Sequence, residues 1–251
     1  MIKRLFLDIE TCPNVGLFWR TGPKVSIDHK SILFPARIIT AAYKWEHEKT
    51  AHAFTWTPGP QFHENDEQLV KSLVPVMAKA DEVVAHYGDR FDLPWIRGRA
   101  MKHGIVCPAF KSIDTKAWSS RLFYLPSNKL DFLADYLGIG TKLRTEYDLW
   151  VDITFRQDKK ALKKMVEYNI HDVELLEQVY HKLSDYGPVH THVGVLEGKD
   201  KWSCARCGSE NVKSVKKVVT AAGTLKFEMN CNDCNKYYMI SNKAHNDYDA
   251  A

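Results

Sequence analysis

The chain has 251 residues, 45% of them hydrophobic and 26% charged, with a formal net charge of +4. That balance describes a globular protein longer than one average domain; there is no apolar run of about 18 residues to span a membrane, and the short N-terminal apolar run is broken by acids, unlike a signal peptide. A charge of +4 is too mild to prove a nucleic-acid partner, and six cysteines, four of them in metal-type pairs, fit a reducing cytoplasm.

In chain order, Ile2 to Ile9 predicts a buried apolar strand. Asp8 and Glu10 stand two apart at its end, so they leave one face roughly 7 Å apart along the backbone. Other strand-like segments precede residue 57. Glu82 to His86 predicts a second short strand, with a helix over Leu93 to His103 after it. Asp92 falls where that helix begins, a position that suits a capping or a ligand carboxylate. Asp89, next to Gly88, reads as a turn residue, and Asp114 suits either support of a site or a cap for the following helix. From Asp158 to Leu183, the apolar residues Leu162, Met165, Val166, Val173, Leu176, Tyr180 and Leu183 recur at helical spacing. Tyr168 and Asp172 are i and i+4 on one edge of that stripe, about 6 Å apart, and His171 falls opposite it. Gly187-Pro188 ends the helix. The expected organisation is a domain over 1–186, a linker over 187–200 in which His190 and His192 are ordinary polar residues, a small metal domain over 201–243, and a polar tail over 244–251. The order of strands and helices implies an α/β mixed sheet flanked by helices.

A lone acid is usually a surface charge or a cap, but Asp8 and Glu10 lie inside an apolar strand, where an uncompensated charge is costly. With Asp92, Tyr168 and Asp172 they form a set of oxygen donors that suits Mg²⁺ or Mn²⁺ rather than zinc. Two such ions about 4 Å apart can clamp the attacking and leaving oxygens of a phosphodiester, which points to a nuclease. Near the C-terminus, Cys204, Cys207, Cys231 and Cys234 make a CxxC…CxxC pair, the pattern of a four-cysteine zinc site. Gly208 and Asn235 directly follow each second cysteine and are the residue types that tolerate positive φ in a metal knuckle. Strands over Val212 to Thr220 and Leu225 to Met229, joined at Ala221-Ala222-Gly223, fit a small β zinc ribbon. Cys12 and Cys107 belong to no motif.

Together these motifs resemble the DEDD superfamily of 3′–5′ exonucleases, in the RNase H-like group. The resemblance rests on Asp8-Ile9-Glu10-Thr11, on His86 to Asp92 ending in Phe91-Asp92, and on Tyr168-x3-Asp172, with Ile113-Asp114-Thr115 and Asn128-Lys129-Leu130 between them. The histidine subfamily has His five residues before the last aspartate; that position is Glu167 here, so the chain resembles the tyrosine subfamily. The resemblance implies an RNase H-like mixed five-stranded sheet over roughly residues 1–185. It implies a two-metal hydrolase in which Asp8 bridges the metals and Glu10 and Asp172 complete the site of the attacking water. Asp92 would serve the second metal, and Tyr168 would orient the water. Thr11 corresponds to the position that meets the 3′-terminal sugar, and Tyr87 stands where the family usually has a substrate-holding Asn. Phe91, Lys129 and Lys142, with Arg144, are further candidate substrate contacts. The expected cofactors are two Mg²⁺ or Mn²⁺ ions and one structural Zn²⁺. The expected partner is nucleic acid with a 3′ end, single-stranded, with DNA favoured over RNA. The ribbon, beside Lys-rich stretches, would assist substrate binding. Rival readings are a nuclease-fold binding protein whose ribbon docks a protein partner, and a structure-specific endonuclease using the same site.

Overall fold

The computed structural model describes the chain apart from residues 1, 21, 23–25, 61–62, 142 and 144–145. Two compact units make it up, Arg4–Leu183 and Ser184–Ala251 with the first three residues. In the first unit the elements run β1 (Arg4–Thr11), β2 (Val15–Gly16), β3 (Ile32–Phe34), β4 (Ile38–Trp45), β5 (His52–Thr55), α1 (Glu67–Met77), β6 (Glu82–Ala85), α2 (Asp92–Lys102), β7 (Lys111–Asp114), α3 (Thr115–Leu122), α4 (Leu130–Tyr136), α5 (Tyr147–Phe155) and α6 (Lys159–Ser184). The sheet has five strands in the order β5-β4-β1-β6-β7. β1 is antiparallel to β4 and parallel to β6, and β6 is parallel to β7. This is the mixed, helix-flanked sheet expected from the sequence.

Leu5 to Leu7 of β1 are apolar because both faces of the strand are covered there. Leu5, Leu7 and Ile9 pack with Leu69, Leu73 and Met77 of α1 and with Leu93 and Ile96 of α2. Phe6 turns the other way, onto Val173, Leu176 and Tyr180 of α6, with its ring 5.4 Å from that of Tyr180. The same alternation sends Asp8 and Glu10 to the Phe6 side, toward α6. Asp158 caps α6, accepting from the N–H of Lys160 at 2.7 Å. A buried ion network fixes α2 against the sheet. Fully buried Asp66 accepts from Arg99 Nε and Nη2, both at 2.6 Å, and from the Ile38 N–H at 3.1 Å, and His103 Nε2 lies 2.8 Å away. Burial pushes the Asp66 carboxyl up, but the Arg99 and His103 bonds outweigh it and hold the group below its ordinary value.

The second unit contains α7 (Val193–Leu196), β8 (Val212–Val219), β9 (Leu225–Cys231), β10 (Tyr237–Ser241) and α8 (Asn242–Asp249). Its antiparallel sheet has the order β10-β9-β8. Three features differ from the sequence reading. The compact unit begins at Ser184, where a linker over 187–200 ahead of a metal domain over 201–243 was expected; Lys236 Nζ donates to the carbonyls of Ser184, Asp185 and Gly187, at 3.3, 2.9 and 2.7 Å. The segment read as a linker contains α7, whose Val193 N–H donates to Ala205 O inside the first CxxC at 2.8 Å. The segment read as a polar tail falls largely in α8, capped by Ser241 and packed through Ala244 and His245, the latter stacked 3.6 Å from Phe227. Among the described residues no helix is long and apolar enough to cross a membrane.

Candidate metal centres

Asp8 and Glu10 on β1 and Asp172 on α6 converge. Each offers a carboxylate oxygen within 4.8 Å of the others. Asp172 is 1% exposed, and the other two are half-buried. Three like charges this close and this poorly hydrated raise the free energy of the site unless a cation offsets them. The donors are all hard oxygens, so the set fits a hard divalent ion. Asn169, fully buried one turn before Val173, donates from its carboxamide nitrogen to Asp8 Oδ2 at 2.6 Å. The sequence reading missed it. Its signal was a polar residue in line with Met165, Asp172 and Leu176 on the inward face of a strongly periodic helix.

Asp92 lies outside that group of three. It is the first residue of α2, after an N-cap residue, Phe91, that makes no side-chain cap bond. Its buried carboxylate accepts from the N–H of Ile9 at 3.0 Å, on the strand residue between Asp8 and Glu10. Tyr168 is half-buried one turn before Asp172 and shares a cleft with Leu149, Asp152 and Glu167. His171 Nε2 lies 2.9 Å from Thr141 O instead of joining the cluster. Thr11 ends β1, where the register against β4 shifts. Tyr87 and Phe91 are exposed on the connection from β6 to α2, and Lys129 is exposed just before α4. Lys142 and Arg144 lie outside the described residues.

Asp114 takes the capping role and also ties down the turn after β6. Its Oδ1 caps α3, accepting from Lys116 and Ala117 N–H at 2.9 and 3.0 Å, and also accepts from the N–H of Tyr87 at 3.0 Å. His86 braces the same region, with Nδ1 2.9 Å from Thr115 Oγ1 and Nε2 3.0 Å from Asn128 O.

In the second unit the four cysteine sulfurs lie within 4.8 Å of one another, and none is in a disulfide. Cys204 and Cys234 are 3.6 Å apart, as are Cys207 and Cys231. A tetrahedron with metal–sulfur bonds of ~2.3 Å places its sulfurs about 3.8 Å apart, so the four fit one ion. Gly208 and Asn235 have φ of 73° and 57°, the left-handed geometry expected of them. Burial pushes the Cys207 thiol up to about 11. Burial acts the same way on Cys231, but the N–H groups of Cys234 and Asp233 outweigh it and hold that thiol below its ordinary value.

The register of the small sheet sorts its side chains into two faces. α8 covers one: His245 stacks on Phe227 and lies 3.0 Å from Ser214 Oγ, and Tyr248 donates to Val212 O. The other face carries Lys213, Lys216 and Lys226 across from Tyr237 and Met239, all exposed, with Glu228 beside Lys216 at 3.2 Å. Lys217 pairs with Phe227 and belongs to the α8 face.

A profile of the RNase H superfamily matches residues 36–184 of the 251. The chain belongs to the RNase H superfamily. The matched stretch takes in Asp92, Tyr168 and Asp172. The DNA polymerase of Pyrococcus glycovorans is 20% identical over 249 residues, covering 84% of this chain and 28% of its own length. DNA polymerase 1 of Pyrococcus abyssi is 20% identical over 246 residues, covering 83% and 28%. The DNA polymerase of Thermococcus litoralis is 20% identical over 84% of this chain and 13% of its own. The chain thus spans less than a third of the curated relatives it matches. The structure of the family B DNA polymerase from Pyrobaculum calidifontis aligns with a TM-score of 0.56 at 17% identity, over 74% of this chain and 25% of that one. That likeness is one of fold.

Proposed function

We propose that this superfamily member is a metal-dependent 3′–5′ exonuclease of the tyrosine subfamily, acting on single-stranded nucleic acid with DNA favoured over RNA. The observation that carries the reading is the convergence of Asp8, Glu10 and Asp172, with Asp92 bonded to the strand between the first two. Similarity to a fraction of several DNA polymerases supports it, since an editing exonuclease is a part of such an enzyme. Asp8, Glu10 and Asp172 would hold one ion and Asp92, with Asp8, a second. Bound there, two Mg²⁺ or Mn²⁺ ions would supply Lewis-acid stabilisation of the attacking and leaving oxygens. Asn169 fixes the orientation of the Asp8 carboxylate. The Tyr168 hydroxyl orients the attacking water. The four cysteines would hold one structural Zn²⁺, because four thiolates leave no open coordination position. The exposed lysine face of the ribbon would bind phosphates of the substrate. The rival reading, a ribbon that docks a protein, is favoured by the exposed Tyr237 and Met239 on edge strand β10.

The test is incubation of the full chain with Mg²⁺ or Mn²⁺ on 5′-labelled single- and double-stranded DNA and RNA. A ladder shortening from the 3′ end, abolished by EDTA, is expected. Internal cuts as first products would mean an endonuclease, and no cleavage at all would leave a binding protein.

A further inference from the structure

Tyr87 stands where the chain turns from β6 into α2, with φ of +69°. That conformation is costly for a bulky L-residue and nearly free for glycine or asparagine. The turn's backbone needs are met without the side chain. The Tyr87 N–H donates to Asp114 Oδ1 at 3.0 Å, and its carbonyl accepts from the N–H of Arg90 and of Phe91 at 3.1 and 2.9 Å. Nor does burial explain the ring, which is 45% exposed. The ammonium of Lys116 lies 3.9 Å from its centroid. β6 runs parallel beside β1, with Val84 opposite Phe6, so a residue just past the end of β6 stands beside the strand that bears Asp8 and Glu10. Asp92, at the end of the same turn, reaches that strand directly.

A strained position that keeps an exposed ring against a cation has the makings of a nucleotide seat. We propose that Tyr87 stacks the nucleobase next to the scissile bond while Lys116, held against the ring, meets a phosphate. This rests on the exonuclease reading and adds an element that favours an unpaired base, since a paired base must first leave its partner before it can swing onto the ring.

The test compares wild type, Tyr87→Gly and Tyr87→Phe in the full chain. Binding is read with single-stranded DNA carrying 2-aminopurine at the 3′ end, in Ca²⁺. Steady-state hydrolysis is measured in Mg²⁺, and thermal midpoints are taken for each protein. Tyr87→Gly should melt no lower than wild type, because the turn is relieved. It should bind roughly ten-fold more weakly, the scale of one base–aromatic stack, and lose 2-aminopurine quenching, with KM rising more than kcat falls. Tyr87→Phe should keep affinity and quenching. Lys116→Gln should flatten the salt dependence of binding by about one phosphate. Tyr124→Ala, another exposed aromatic, serves as the control that changes nothing. Quenching and affinity unchanged in Tyr87→Gly, whatever its melting point, would overturn the seat, as would absence of quenching in wild type. A wild type that quenches 2-aminopurine yet hydrolyses nothing would overturn the exonuclease reading while leaving the seat in place.

Discussion

Asp8→Ala and Asp172→Ala should each abolish hydrolysis while leaving the fold intact, since removing one carboxylate lowers the repulsion among the acids and destroys the ion's cage. Wild-type turnover in either would sink the assignment. In the same assay Tyr168→Phe should lower kcat by about 100-fold with a smaller effect on KM, the pattern of a group that positions a reactant. Asn169→Ala should require roughly 10- to 100-fold more Mg²⁺ for half-maximal activity, because Asp8 loses the donor that fixes it; an unchanged metal titration would make Asn169 a packing residue only. Asp66 is the residue for pH. Its carboxyl is held below the ordinary 3.8, so the stability it contributes is complete above that value and is lost as pH falls through the folded pKa. Asp66→Asn, which strands the buried Arg99, should cost about 3–5 kcal/mol at pH 7. Urea midpoints should show that the mutant loses less stability than wild type between pH 6 and pH 3; an equal loss would locate the acid sensitivity elsewhere.

Among the elements, β1 and α6 were legible because each is long enough for its period to show. β1 alternates acids with a fully apolar background, and α6 repeats its stripe over 26 residues. From those two periods Asp8 and Glu10 could be placed on one face of the strand, and Tyr168 and Asp172 on one edge of the helical stripe. Asp92 was legible as a helix start but not as a partner of the Ile9 amide, because nothing local to residue 92 encodes the passage of β1 beside it. α7, β10 and α8 went unread for a different reason. At four to eight residues they are too short for a periodic signal, and what orders them is the cysteine cluster and its surroundings. The small sheet yields its own prediction. Lys213, Lys216 and Lys226 changed together to Glu should weaken single-stranded DNA binding and reduce its salt slope by about 2, at roughly 0.7 per phosphate lost. Lys217→Glu, on the α8 face, should leave both unaltered. Equal effects from the two faces would remove the nucleic-acid reading of the ribbon and favour the docked protein.

Across the whole molecule, every residue of the proposed catalytic set lies in Arg4–Leu183, and all four cysteines lie in the other unit. A chain ended after Gly187 should therefore still shorten brief oligonucleotides, and it should bind longer ones less tightly than the full chain. Elemental analysis of the full chain should find one zinc, removable by a strong chelator with loss of ordered structure around Trp202 and Tyr238, while the acidic cluster still responds to Mg²⁺. A truncated chain unable to act on any substrate would tie the two units together functionally. The chain also brings its acids together from far apart: Asp8 lies on the first strand of its unit and Asp172 on the last helix. A ribosome-bound or proteolytically nicked copy that lacks α6 keeps Asp8, Glu10 and Asp92 but not Asp172, and cannot complete the set. The acidic cluster is therefore complete only when synthesis and folding of that unit are finished, so its geometry reports on the integrity of the whole unit.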